Sequence, residues 1–489
     1  MFQNDKGLIS SFTDRYTEYE VVYNPRQRRS VRVAKASYIS IIPKMNLVGI
    51  LLSEYDDFLQ HLQINRIRSD EIEINTIDFN YDVATSNLIK YETTIPRDDQ
   101  ILIEEFMDSP YNIRVIPVQM GVGKTLITLY HTYKTKHRMS LTAEASHIGS
   151  WIFDGNKFFS NFKEECILVR GKKEFVTLIE LAKSDQLEAS FIIFTQRTMS
   201  DYLSEYEENG KSTYGCIPRD LYKTIGVHTR VVDECHKNLH FQFRHSILTS
   251  CNKVIYLSAT ISSHNKFTNK LYDLIFPVIS RYTDREWEKY IDVIGIGYYL
   301  KNPKDAQYKG SRGYSHNKFE QWIMGKKETL NNYMNLILII VRSIYLNSYV
   351  EGQTLLIYCS TIGFCYLLRL FLQKEIPHLR VHDYTSEHDD DILQNNDIII
   401  TTPQKTGESK NVPGLMKVLA TVAIDAKEKN IQMLGRLRKP DSRFIGITPK
   451  YYYLVCLSLD VHVRYHERKV AMLTPLVNSV DVTRINNLV

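Results

Sequence analysis

Two groups of short apolar runs, each closed by a turn signal or a polar stretch and separated by segments with helical spacing, predict an α/β protein with two parallel sheets. The first group reads RVIPV, MSLTA, FIIFT, RVVDE and KVIYLSAT, and the second TLLIYCS, DIIITT and FIGIT. GKTLITLYHTYKTK and TIGFCYLLRLFLQK are examples of the helical segments between them. No short-period repeat and no extended low-complexity tract interrupts the series.

The grouping gives domain boundaries. Residues 1–92 form an N-terminal accessory unit of different texture, with the basic stretch NPRQRRSVRVAK at 24–35. Residues 93–280 carry the first sheet and 335–489 the second. Between them, 281–334 reads as a linker or insertion, because 298–318 (YYLKNPKDAQYKGSRGYSHNK) is polar and rich in lysine.

Composition bounds the function. A chain of 489 residues, 43% hydrophobic and 24% charged, is an ordinary globular protein and not a disordered one. A net charge of +5 permits a nucleic-acid partner without demanding one. Seven scattered cysteines without a CxxC pair fit a reducing compartment. No secretory signal is visible at MFQNDKGLIS, and the apolar run LILIIV stops at Arg342, far short of the roughly 20 residues a membrane helix needs. A cytoplasmic protein, or a viral one acting inside a cell, is expected, with no membrane partner.

VQMGVGKTLITLY, 118–130, has the parts of a phosphate-binding loop. Gly121 and Gly123, flanking Val122, allow the backbone to turn sharply and approach oxygens, Lys124 can reach the β- and γ-phosphates, and Thr125 can ligate Mg²⁺. Val118 stands where the longer form of the loop has its first glycine, so the match is to GxGKT. ATP hydrolysis also needs an acidic residue for Mg²⁺ and a carboxylate to orient water. Asp233 and Glu234, behind Val231 and Val232, offer both. Cys235 and His236 open a competing zinc reading, but adjacent residues chelate one tetrahedral ion poorly and no partner pair with zinc spacing lies nearby.

GxGKT, then Asp-Glu-Cys-His after a strand, then LSAT at 257–260, resembles the superfamily 2 helicases and nucleic-acid translocases in their DEAH-like branch. The resemblance spans roughly 95–475 and implies two tandem RecA-like domains, ATP and Mg²⁺ as cofactors, and nucleic acid held mainly by its backbone. It makes Lys124, Asp233, Glu234, Gln432 and Arg436 catalytic, with Arg436 as an arginine finger. It assigns adenine reading to Arg97 and Gln100, nucleotide contact to Gly407, Ser409 and Arg438, and coupling of hydrolysis to movement to His236, Ser258 and Thr260. Thr195 and Thr402 become nucleic-acid backbone contacts, and SLTAEASHIGSW (140–151) a loop touching that backbone. The family's Q-x-x-G-R-x-x-R ends here in Lys439, so the second finger falls to Arg438.

YNPRQRRSVRVAKASYISIIPKMNLVGIL, 23–51, resembles the small substrate-binding domain ahead of the motor in phage recombination helicases of the UvsW type. It implies an α+β fold and nucleic-acid contacts from Arg26, Arg28, Arg29 and Arg32. Poxvirus-type DNA helicases and transcript-release ATPases share the same core. The reading is thus a helicase or translocase, able to act as a monomer, on DNA rather than RNA, at forks or branched junctions. An ATPase that remodels a nucleoprotein complex without unwinding is the alternative. Tyr451 to Tyr453 could stack on bases, with packing the preferred reading, and LDVHVRYHERK (459–469) reads as a closing amphipathic helix.

Overall fold

A computed structural model describes residues 2–3, 14, 16–24, 29–45, 47–51, 54–64, 81–119, 121–259, 261–263, 265–283, 288–310, 313–385, 391–405, 412–440 and 442–489. The chain divides into two compact units, Met1–Arg285 and Glu286–Val489.

The first unit is built on six parallel strands in the order Ile113–Pro117, Lys253–Ser258, Thr229–Val232, Met139–Ala143, Phe191–Thr195, Cys166–Val169. Both faces are covered, which is why these strands read as unbroken apolar runs and not as alternating ones. Ile116, Leu141, Ile193, Val231, Ile255 and Leu257 pack on one side under helices Asp98–Asp108, Lys124–Thr135 and Ala145–Phe158. Each such side chain, fully buried, contributes about 1.5–3 kcal/mol.

Residues expected to form a separate accessory unit share this core. A three-stranded antiparallel sheet, a hairpin (Thr17–Asn24 with Arg29–Ser37) and helix Tyr55–Ile64 give its described part up to residue 64 an α+β character, and 81–92 run on as an extended segment bridged to His137 and Phe159. Tyr16, Tyr38, Val48, Phe58 and Leu62 lie in one buried cluster with Val115, Val232, Cys235 and Phe243. A Cβ at Gly49 would stand 2.3 Å from Ile247 Cγ2, so the small sheet sits hard against helix Leu239–Leu248. The segment thus buries its apolar face against the larger sheet.

The second unit is a seven-stranded parallel sheet in the order Val381–Tyr384, Ile398–Thr401, Thr354–Tyr358, Leu415–Ala420, Lys450–Cys456, Asp292–Tyr299, Ser479–Leu488. Three expectations change. The stretch 281–334 is not a linker along its length: it supplies strand Asp292–Tyr299, helix His316–Met324 and the start of helix Lys327–Ile344. FIGIT is not a strand; the strand is the neighbouring Lys450–Cys456, where Tyr451, Tyr452 and Tyr453 are all buried and none is placed to stack on a base. LILIIV lies in helix Lys327–Ile344, and among the described residues no helix is long and apolar enough to cross a membrane.

Candidate nucleotide-hydrolysing site

The phosphate loop connects strand Ile113–Pro117 to helix Lys124–Thr135. Gly121 and Gly123 have φ of +90° and +93°, values only glycine adopts without strain. A Cβ on Gly123 would also stand 2.4 Å from Gln100 Nε2. Lys124 and Thr125 open the helix, whose free N–H groups and dipole favour an anion there.

Asp233 follows strand Thr229–Val232, and its carboxylate is the most heavily engaged in the site. Oδ1 accepts from Glu234 N at 2.9 Å, and Oδ2 accepts from Trp151 Nε1 at 3.0 Å with His147 Nδ1 at 3.3 Å. Burial opposes ionisation, but hydrogen bonding and charge from His147, the charge of Lys124 and the Trp151 indole outweigh it and hold Asp233 at about 2.

Glu234 has φ of +47°, a left-handed backbone that costs a non-glycine residue about 1–2 kcal/mol. Hydrogen bonds from Cys235 N to Leu257 O (3.0 Å) and Lys237 N to Glu234 O (2.9 Å) hold that turn. It aims Glu234 Oε1 at Lys124 Nζ, 3.6 Å away, and Oε2 at His236 Nδ1, 3.3 Å away. Among the described residues neither Lys124 Nζ nor Glu234 Oε2 has a hydrogen-bond partner, although both are buried. Buried charged atoms are normally satisfied, so these two fit an anion and a polar ligand that the protein atoms do not supply.

His236 Nδ1 lies 2.8 Å from Ser258 Oγ, and Ser258 O accepts from Val118 N at 3.0 Å, so Glu234, His236, Ser258 and the phosphate loop form one connected group. Thr260 lies outside the described residues. Cys235 packs in the apolar core with Val115 and Val232, and burial above all pushes its thiol well above the ordinary range.

Two expected roles meet a different geometry. Gln100 is 2% exposed and its amide is used inside the chain: Nε2 donates to Val122 O at 2.7 Å, and Oε1 accepts from Arg97 N at 3.0 Å. Arg97 Nη2 donates to the same Val122 carbonyl at 3.0 Å. The pair therefore braces the phosphate loop, Gln100 from the interior and Arg97 from an exposed position. Thr195 is 6% exposed, and its hydroxyl accepts from Thr198 N at 3.1 Å as the N-cap of helix Gln196–Asn209, which removes it from a strand surface.

His147 and Trp151 are the residues that sequence reasoning missed. They sit one turn apart on helix Ala145–Phe158, in the stretch expected to touch nucleic acid, and both turn inward to Asp233. Glu144 continues the network, lying 3.9 Å from His147 Nε2 and accepting from Lys237 Nζ at 2.7 Å. A helical i, i+4 pair directly after Met139–Ala143, the strand beside the one that ends in the acidic pair, is the one signal that could have found them.

In the second unit, Gln432 is half-buried on helix Lys427–Leu434 and Arg436 is buried just past its end. Arg438 is half-buried, whereas Lys439 is exposed and ion-paired with Glu288. Lys439 thus stands on the surface where the family's second arginine was expected. Thr402 is half-buried, with its hydroxyl accepting from Lys405 N at 3.4 Å. Gly407 and Ser409 lie outside the described residues, as do Arg26 and Arg28. Arg29 and Arg32 are on the hairpin strand Arg29–Ser37.

No family model matches the chain, and no curated protein matches it. Among solved structures it is similar to S. cerevisiae Dbp5 bound to RNA and ADP–BeF3, at 14% identity and a TM-score of 0.50, over 81% of this chain and 91% of that one. That likeness, with the two parallel sheets already described, identifies the fold of this chain as two RecA-like α/β domains.

Proposed function

We propose that this protein is an ATP-dependent nucleic-acid helicase or translocase. The observation that carries the reading is the pair of buried charged atoms, Lys124 Nζ and Glu234 Oε2, that are ion-paired but have no hydrogen-bond partner among the described residues, gathered beside Asp233 at the start of a GxGKT helix. Lys124 would hold the β- and γ-phosphates, and the first-turn N–H groups would share that charge. Thr125 and Asp233 would hold Mg²⁺, which when bound supplies neutralisation of phosphate charge. Glu234 would orient the attacking water and accept its proton. His236, through Ser258, would pass the change at Glu234 to the phosphate-loop strand. We assign Gln432 and Arg436 to the same reaction, Arg436 as the arginine finger with Arg438 second to it.

The substrate we propose is DNA, at forks or branched junctions, with contacts from Arg26, Arg28, Arg29, Arg32 and Thr402. The resemblance of 23–51 to a substrate-binding domain supports this, and seven free cysteines support a cytoplasmic setting. RNA is the second reading, since the similar structure of Dbp5 was bound to RNA.

The test is a panel of ATPase and unwinding assays with single strands, duplex, forks, four-way junctions and RNA. Forks or junctions should stimulate hydrolysis most, and Glu234→Gln should lower that rate roughly 10²–10⁴-fold while ATP binding persists. Turnover retained in purified Glu234→Gln overturns the assignment of the carboxylate. Stimulation by RNA alone overturns the choice of DNA, and stimulation without unwinding favours a remodelling ATPase.

A further inference from the structure

We propose that residues 303–309 and 318–326 build a second nucleic-acid site, a cleft on the Glu286–Val489 unit that grips a single strand by its phosphates and one stacked base. The proposal rests on the helicase reading and adds a site to it. The cleft encloses about 900 Å³. Lys304, Lys309, Lys318 and Lys326 line it together with Tyr308 and Trp322, and no acidic side chain is among its lining residues. Asp305 pairs with Lys326 at 3.3 Å, but Lys304, Lys309 and Lys318 are exposed cations facing one space. A smaller cleft of about 560 Å³ shares Lys304, Tyr308 and Lys309 and runs on to Arg464, with Asp460 as its one acid.

The aromatic floor is prepared for stacking. Trp322 is stacked on buried Phe319 at 5.8 Å between centroids, with the planes 24° apart, and Lys326 Nζ lies 5.3 Å from its centroid. Its indole N–H is buried and, among the described residues, without a hydrogen-bond partner. Rows of lysine beside an aromatic face match a polyanion that carries planar bases, because backbone charge supplies affinity and stacking is tolerant of sequence.

The position is also coupled to the motor. Lys318 and Trp322 are on helix His316–Met324, and Asn317 and Glu320 of that helix hold the turn after strand Thr354–Tyr358. Ser360 Oγ bonds to Asn317, and Glu320 accepts from Ser360 N at 2.9 Å and Thr361 N at 2.6 Å. A single strand of nucleic acid seated in the cleft would therefore bear on a helix fixed to the end of the central strand Thr354–Tyr358 of the second sheet.

The test uses the full chain without nucleotide, a fluorescent 20-nucleotide single-stranded DNA and anisotropy from about 50 to 200 mM salt. The triple variant Lys304→Gln, Lys309→Gln, Lys318→Gln should bind about tenfold more weakly. Its slope of log affinity against log salt should fall by about 2, since each single-strand phosphate contact contributes about 0.7. Trp322→Ala should weaken binding about fivefold or more, Trp322→Phe should restore most of it, and basal ATP hydrolysis should not change in any of them. A control triple, Lys163→Gln, Lys173→Gln, Lys211→Gln, carries the same change of net charge. Equal losses in both triples overturn the cleft as a site. So does a loss of poly-glutamate binding as large as the loss for DNA with Trp322→Ala silent, which assigns the cleft to an acidic protein. If the unaltered protein binds no oligonucleotide, the helicase reading itself fails. If it binds DNA and hydrolyses ATP in response while the cleft variants match it, only the second site fails.

Discussion

Each unit contains a buried carboxylate close to the C-terminal end of one of its parallel strands, and the two environments treat it in opposite ways. Asp233 has His147, the Trp151 indole and the charge of Lys124 around it, and stays ionised at about 2 despite burial. Glu320 is more deeply buried, and among the described residues its hydrogen bonds come from the neutral groups of Ser360 and Thr361. Burial, opposed only by those bonds, pushes it up to about 7. The number of hydrogen bonds does not separate the two sites. What surrounds them does: hydrogen bonding and charge from His147 with the charge of Lys124 keep Asp233 ionised, whereas the neutral donors of Ser360 and Thr361 do not offset the burial of Glu320.

Removing the cation is the strongest way to break this comparison. Lys124→Ala should lower nucleic-acid-stimulated ATP hydrolysis roughly 10²–10³-fold, the effect of losing one charge-stabilising donor. Hydrolysis within threefold of normal would show that the cation beside Asp233 and Glu234 does not serve the reaction.

A smaller effect is expected from the groups that aim Asp233. His147 and Trp151 act through the carboxylate and are positioning residues, and loss of such a partner typically costs about 10–100-fold in metal affinity or activity. His147→Ala should raise the Mg²⁺ concentration for half-maximal hydrolysis about tenfold, with the rate recovering at high Mg²⁺. Trp151→Phe keeps the packing, loses one N–H and should shift that concentration less. A lower rate that added Mg²⁺ does not restore would assign both residues to packing alone.

The sequence made this site legible to uneven depth. Gly121, Gly123, Lys124, Asp233 and Glu234 are readable because close approach to phosphate and a metal tolerates few residue types at fixed spacing. His147 is not, because 86 residues separate it from Asp233 and nothing in ASHIGSW says which face of the helix turns inward. The left-handed turn at Glu234 is hidden for the same reason: it is imposed by Leu257 O on the neighbouring strand and not by local propensity. In the second sheet, Asp292–Tyr299 is interrupted by Gly295 and Gly297, and the edge strand Ser479–Leu488 mixes polar and apolar residues, so neither has the apolar run that reveals a central strand. Lys450–Cys456 escaped because three tyrosines hide a buried strand behind hydroxyls.

The smallest effect tests the other half of the comparison. Glu320 has a folded-state value of about 7, above the ordinary 4.5 of an unfolded glutamate. Between those values the folded state holds the proton more tightly than the unfolded state does. The stability from the protonated form is therefore complete below about 4.5 and is lost as pH rises through about 7. Glu320→Gln cannot titrate and should lack this loss. The difference in stability between the unaltered protein and the variant should move against the unaltered protein by on the order of 1–3 kcal/mol from pH 4.5 to 7.5, and then level off. Hydrogen exchange in helix Ile362–Glu375, whose N-cap residue Thr361 donates its N–H to Glu320, reads this locally. Protection that falls equally with pH in both proteins would mean that the helix N-terminus and its two N–H donors keep Glu320 charged, and that a cation is not what distinguishes Asp233.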